Sequence, residues 1–203
     1  MGIKKNVLLA AMAAATLAAS ATTSFAQAFM PTGGLSTQPV GHYEFCQRSP
    51  QECQRTKDVR PVELTRELWG KIIEINNVVN TMITPRTDME LWGVEEHWSY
   101  PTNGLGDCED YVLEKRRRLI KAGVPVANLP ITVVRQANGD GHAVLTIRTS
   151  MGDFVLDNLE PRVLAWTETD YRFLKRQAPQ HAGMWISVDD SRNVLVGAVG
   201  SSR

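Results

Sequence analysis

The stretch Gly106-Asp107-Cys108-Glu109-Asp110-Tyr111, continued by Leu119-Ile120-Lys121-Ala122-Gly123, reads as a helix that opens on a cysteine. Tyr111, Val112, Leu119 and Ile120 supply its apolar positions, and Gly123 is placed to end it near Ala122. A helix start gathers amide N–H groups and the positive end of the backbone dipole around Cys108, and both favour thiolate over thiol. The same amides suit the oxyanion of a tetrahedral intermediate. Asp107, Glu109 and Asp110 oppose that effect by adding negative charge, unless a cation neutralises them. Their other reading is helix capping and favourable charge–dipole contact.

Outward from this helix, Leu129–Gln136, His142–Thr149 and Phe154–Asp157 are expected as strands, joined by the turn clusters 137–141 and 150–153. Gln180–Ile186 is a further strand candidate. Upstream, Pro61 opens a helical pattern in which Leu64, Leu68, Ile72, Ile75 and Val79 recur at spacings of three and four, closed by Pro85. Asn76, Asn77 and Asn80 are poor helix formers inside it. They either face solvent or reach across to support a site. Helices first and an antiparallel meander after them predict an α+β fold, with N-terminal helices packed on an antiparallel β-sheet.

Lys4 and Lys5, the apolar run Val7–Ala19 and Ser24-Phe25-Ala26 have the form of a signal peptide over residues 1–26, cleaved after Ala26, with Ala28 as the second candidate. The apolar run is shorter than the ~20 residues needed to span a bilayer. Residues 27–42, rich in Gly, Pro, Thr and Ser, are expected as an irregular arm, residues 43–190 as the domain and 191–203 as a tail. No later segment is long and apolar enough to span a membrane, so the mature form is expected outside the cytoplasm. With 22 Lys plus Arg against 22 Asp plus Glu, the chain offers no electrostatic case for nucleic acid or anionic membranes. Lys115-Arg116-Arg117-Arg118, its one basic cluster, reads as a solvated helix face, the alternative being a nucleic-acid or lipid patch.

Cys46 and Cys53 flank Pro50 and are expected to pair as a disulfide in an oxidising compartment. The rival reading, a metal pair, lacks a histidine or third cysteine at ligand spacing. Cys108 is then the odd thiol, either half of an intermolecular disulfide, an inert buried thiol or a reactive nucleophile. His142 follows a glycine-rich turn at a loop-to-strand position, expected at a sheet edge, and Asp157 ends the next strand. Antiparallel neighbours set the two side by side, and the order Cys, His, Asp is coherent for a nucleophile, a base and an orienting acid. Spacing equally allows a His142 that is merely a satisfied polar residue and an Asp157 that forms a turn.

Several of these segments occur together and in order: Gly106–Tyr111, Leu119–Pro125, Gly141-His142-Ala143-Val144-Leu145 and Val155-Leu156-Asp157-Asn158-Leu159. Phe45-Cys46, Cys53, Asn76–Asn80, Trp98 and Pro101 add to them. Over Phe45–Trp185 the chain resembles the bacterial transglutaminase-like cysteine peptidases. The resemblance implies a papain-like, transglutaminase-like core and a triad of Cys108, His142 and Asp157. It also implies calcium (Ca2+) held by Asp107, Glu109 and Asp110, and a periplasmic protease whose substrate is a protein such as a surface adhesin. An inner-membrane regulatory receptor is the further partner it implies. The family usually carries Glu where this chain has Asn103. Two alternatives use the same residues: a transglutaminase-type acyltransferase, and a non-catalytic calcium-responsive binding module, against which an intact Cys-His-Asp set argues.

Overall fold

The computed structural model describes residues 28–192, so the expected signal peptide and nearly all of the expected tail lie outside the described residues. Along the chain run β1 (Thr32–Ser36), α1 (Val40–Arg48), α2 (Arg66–Met82), β2 (Thr84–Pro85), α3 (Asp88–Trp92) and β3 (Leu105–Gly106). Then follow α4 (Cys108–Lys121), β4 (Ile131–Arg135), β5 (Gly141–Thr149), β6 (Gly152–Leu156), β7 (Leu164–Ala165), β8 (Arg172–Ala178) and β9 (His181–Val188). Seven strands make one sheet in the order β1-β9-β8-β4-β5-β6-β7, every pairing antiparallel. The α+β arrangement expected from the sequence is the one observed. No helix among the described residues is long and apolar enough to cross a membrane.

β5 is buried on both faces because the sheet carries a core on each side. On one side Ala143, Leu145 and Ile147 pack with Leu113 and Leu119 of α4 and Ile72 of α2. On the other, Val144 packs with Val134, Val155, Phe173, Trp166 and Met30. α4 therefore lies against the strand that carries His142. That strand is interior to the sheet, with His142 opposite Val134 of β4, and not at the edge expected for it.

Three expectations need correction. The arm expected over residues 27–42 is not irregular throughout, where it is described from residue 28 on. Thr32, Leu35 and Ser36 pair with Val188, Ile186 and Trp185, so this segment is the outermost strand, and α1 has begun by Val40. Gly33 has a local reason: a Cβ there would collide with Ser187 Oγ. The long helix does not open at Pro61. The Val62 N–H donates to Arg148 O, and Val62 O accepts from Ser150 N, which holds the chain extended until Thr65 caps α2 by accepting from Leu68 N. The strands are also not one meander, because β8 returns to pair with the far side of β4.

Cys46 and Cys53 form the expected disulfide. His42 lies beside it, its Nε2 3.8 Å from each sulfur. Burial, aided by the charge of Arg116, lowers the His42 pKa to about 3, so this imidazole is a neutral part of the core.

Candidate active site

α4 starts on Cys108, with Asp107 as its N-cap residue. α4 packs on β5, where the Ala143 amide, next to His142, favours the ionised form of the Cys108 thiol. The thiol itself donates to Glu109 Oε2 at 3.0 Å. The expected fall in the thiol pKa is reversed. Burial, then the charge of Glu109 and its hydrogen bond, push it well up, and the Ala143 amide offsets only part of that.

His142 Nε2 lies 2.8 Å from Asp157 Oδ1. Asp157 directly follows β6 and is 2% exposed. Its Oδ1 also accepts from Leu159 N at 3.1 Å, and its Oδ2 from the Tyr171 hydroxyl at 2.5 Å. Burial acts to raise the Asp157 pKa, but these bonds outweigh it and hold the carboxyl below the usual range. The Tyr171 ring stands 5.6 Å from the imidazole. Asn80, one of the three helix asparagines, reaches across from α2 and donates to Asp157 O at 2.8 Å. Asn76 does the same for Pro161 O. A cavity of about 260 Å³ opens beside Asp157 and Tyr171, bordered by Leu159, Glu160, Arg162 and Asp170.

Of the three acids beside Cys108, Asp107 and Asp110 turn to one place and meet Asp88, the first residue of α3, with carboxylate oxygens all within 4.8 Å of one another. Glu109 is not in that group and faces the thiol instead. One helical turn does not aim three successive acids at a single point. Asp88 and Asp110 are buried, and Asp88 Oδ1, Asp107 Oδ1 and Asp110 Oδ2 have no hydrogen-bond partner. Ser99 donates to Asp110 Oδ1 through its N–H at 2.8 Å and its hydroxyl at 3.4 Å, and His97 N donates to Asp88 Oδ2. Burial, with the charges of Asp107 and Asp88, raises the Asp110 pKa to about 7. Burial, then Asp107, raises that of Glu109 to about 8. Asn103 stays outside the cluster, where its Oδ1 accepts from Leu105 N and shapes the loop.

Asp88 and Tyr171 are the site neighbours that the sequence did not single out. The basic cluster is not a solvated face either. Lys115 and Arg116 are buried. Arg116 donates to Glu52 Oε2 at 3.1 Å and to Leu129 O at 3.2 Å, while Arg117 and Arg118 both pair with Glu114.

A family model described as bacterial transglutaminase-like cysteine proteinase BTLCP matches residues 32–193. Among curated proteins, none matches this chain. Among solved structures, calcium-bound LapG of Legionella pneumophila is 22% identical, covering 62% of this chain and 71% of that one with a TM-score of 0.52. LapG of the same organism in another structure is 26% identical, with 60% and 71% covered and a TM-score of 0.50. An EGTA-treated form is 22% identical, with 64% and 72% covered and a TM-score of 0.50.

Proposed function

The chain belongs to the bacterial transglutaminase-like cysteine proteinases and is a cysteine peptidase; from that premise we propose that Cys108, His142 and Asp157 are its triad and that it hydrolyses a peptide bond in a periplasmic or cell-surface protein. The observation that carries this reading is the buried His142–Asp157 contact on the strand whose Ala143 amide favours a thiolate at Cys108. A carboxylate only accepts, so Nε2 of His142 carries the ring proton and Nδ1 offers its lone pair. Nδ1 takes the thiol proton as the sulfur turns from Glu109, and the thiolate attacks the substrate carbonyl carbon. Amides of the first turn of α4 stabilise the oxyanion. The imidazolium then protonates the leaving amine, the C–N bond breaks, and water activated by His142 hydrolyses the thioester and restores the thiol. Asp157 orients the imidazole throughout.

Calcium suits the acid cluster. Carboxylate oxygens are the ligands a hard divalent cation prefers, and three such oxygens here are buried without a donor. The LapG of Legionella pneumophila has been solved both calcium-bound and after EGTA treatment. Asp88, Asp107 and Asp110 would hold the ion, with Glu109 as their neighbour on the thiol side, and its charge would offset the anionic field that opposes a thiolate at Cys108. Support for a periplasmic location is the leader-like segment of residues 1–26. A surface adhesin as substrate and an inner-membrane receptor as regulator are the partners this reading implies.

Replacing Cys108 with Ala is expected to abolish cleavage of a candidate surface protein. Retained cleavage sinks the reading. Incubation with an amine donor separates hydrolysis from acyl transfer, since a cross-linked product would mark the latter.

A further inference from the structure

Asn76, Asn77 and Asn80 stand close together in α2, although asparagine is a poor helix former. Asn77 is exposed, whereas Asn76 is wholly buried. Asn76 and Asn80 lie one turn apart on the same face of the helix. Both reach the connection between β6 and β7, residues 157–163. Asn80 Nδ2 donates to Asp157 O at 2.8 Å, and Asn76 Nδ2 donates to Pro161 O at 3.0 Å. A carbonyl only accepts, so in both side chains the NH2 group must face the connection. Each Oδ1 is then left buried without a donor, a costly arrangement that the helix bears twice to hold these two carbonyls. The same end of α2 also holds the helix of the nucleophile. Val79 and Ile83 pack with Tyr111 of α4, and the Tyr111 hydroxyl donates to Ile83 O at 2.6 Å. Tyr111 is one turn beyond Cys108.

We infer that Asn80 is a positioning residue of the proposed triad: it fixes the main chain of Asp157 to the helix that also fixes α4, so that the acid and the nucleophile are set against one frame. The inference rests on the triad reading. The carboxylate of Asp157 is oriented by His142, Leu159 and Tyr171. Leu159 belongs to the same connection and moves with Asp157, so its bond does not anchor that connection to the rest of the fold. Asn80 does, at the residue that carries the carboxylate. Asn76 anchors the far end at Pro161, among the residues Leu159, Glu160 and Arg162 that border the cavity. With the Asn80 donor gone, Asp157 is free to drift from the imidazole, and a triad that depends on alignment loses rate without losing substrate.

Asn80→Ala removes the donor and improves the helix. The expected result is a folded protein whose kcat falls about tenfold while KM stays within about twofold. Asn80→Leu, whose bulk also excludes a replacing water, must agree. A second measurement needs no turnover. In the parent protein the Nε2 proton of His142, bonded to a buried carboxylate, should give a 1H NMR resonance well downfield of the backbone amides. In both Asn80 variants it must move upfield or broaden. An asparagine that only satisfies a loop carbonyl would lower Tm and leave kcat and the resonance in place, and that result overturns the inference. Asn76→Ala frees Pro161 O and leaves Asp157 O bound, so it should lower Tm while the resonance stays. An equal change of the resonance in the Asn76 and Asn80 variants would make the effect one of the whole connection and overturns the role given to Asn80. Should Cys108→Ala retain cleavage, the triad reading fails whatever Asn80 does. Should the triad stand while kcat or the resonance is unmoved in the Asn80 variants, the inference fails alone.

Discussion

Tyr171 meets the face of Asp157 that His142 leaves open. A buried carboxylate is costly unless its oxygens are satisfied, and the Tyr171 hydroxyl is the side-chain donor to Oδ2. Burial and the Asp157 charge push the Tyr171 hydroxyl pKa far above its usual value, so the proton stays available for that bond. Tyr171→Phe keeps a ring packed against the second core and deletes only the donor. Losing a hydrogen bond to a charged group costs about 1.5 kcal/mol or more, so kcat is expected to fall roughly tenfold. KM should change little, since the hydroxyl is engaged with Asp157. Steady-state kinetics check this, and a kcat within twofold of the parent would remove Tyr171 from the site. Cys108, His142 and Asp157, the proposed triad, could each be singled out in the sequence because each lies at or beside the end of an element marked by glycine or by an apolar run. Tyr171 carried no such mark. It precedes a strand rich in Arg172, Lys175 and Arg176, which reads as solvated until the fold pairs Arg176 with Asp153.

The starts of α3 and α4 are where local pattern and tertiary assembly part company. α4 was readable from its cysteine to its closing glycine. α3 had a signal as well, since Thr87 and Glu90 form a capping box, but its five residues are too few for a periodic face. That Asp88 joins Asp107 and Asp110 follows from the folding back of the segment between the helices, which β2 and β3 fasten by parallel pairing of Thr84 with Leu105 and Pro85 with Gly106. Spacing along the chain holds no record of it. The assembled acids then have a definite pH behaviour. Burial raises Asp110 to about 7, Glu109 to about 8, and Asp88 above its ordinary value. These three carboxyls therefore hold more protons in the folded protein than in the unfolded chain from about pH 4 to pH 8, so together they make stability fall as pH rises through that interval. Buried His42, with its pKa lowered to about 3, offsets part of the fall below about pH 6.5. Calcium at the proposed site would compete with those protons, so its binding would strengthen with pH. Calorimetric scans in EGTA should show Tm falling from pH 5 to pH 8. Calcium at a hundredfold excess over its Kd should add about 2.7 kcal/mol, roughly 5–10 °C, at pH 8 and less at pH 5. Asp88→Asn should narrow that gap. A Tm at pH 8 indifferent to calcium would remove the ion from this cluster.

At the scale of the molecule, the helices on one face and the strands that carry the site were predictable, because β4, β5 and β6 are apolar runs separated by turn residues. The closing of the sheet was not, because β1 has almost no side chains with which to announce a strand. Residues 28–36 hold their place largely through backbone groups. Met30 N donates to Asp153 Oδ2 at 2.9 Å, Asp153 N donates to Ala28 O at 2.8 Å, and Asp189 N donates to Pro31 O at 2.9 Å. Met30 adds a buried side chain to the second core, worth about 2 kcal/mol. Asp153 is also the partner of buried Arg176 at 2.8 Å, so the strap helps satisfy an ion pair that β6 and β8 share. Deleting residues 28–36 removes those bonds, opens Asp153, and bares the edge of β9, whose free N–H and C=O groups then seek another strand. With two or three hydrogen bonds at about 1 kcal/mol each added to the loss of Met30, Tm should fall by roughly 8–15 °C. Size-exclusion chromatography should show association that the parent protein lacks. A truncated protein with the parent's Tm and elution volume would mean that β9 tolerates its bare edge, and that the strap serves neither the core nor the sheet.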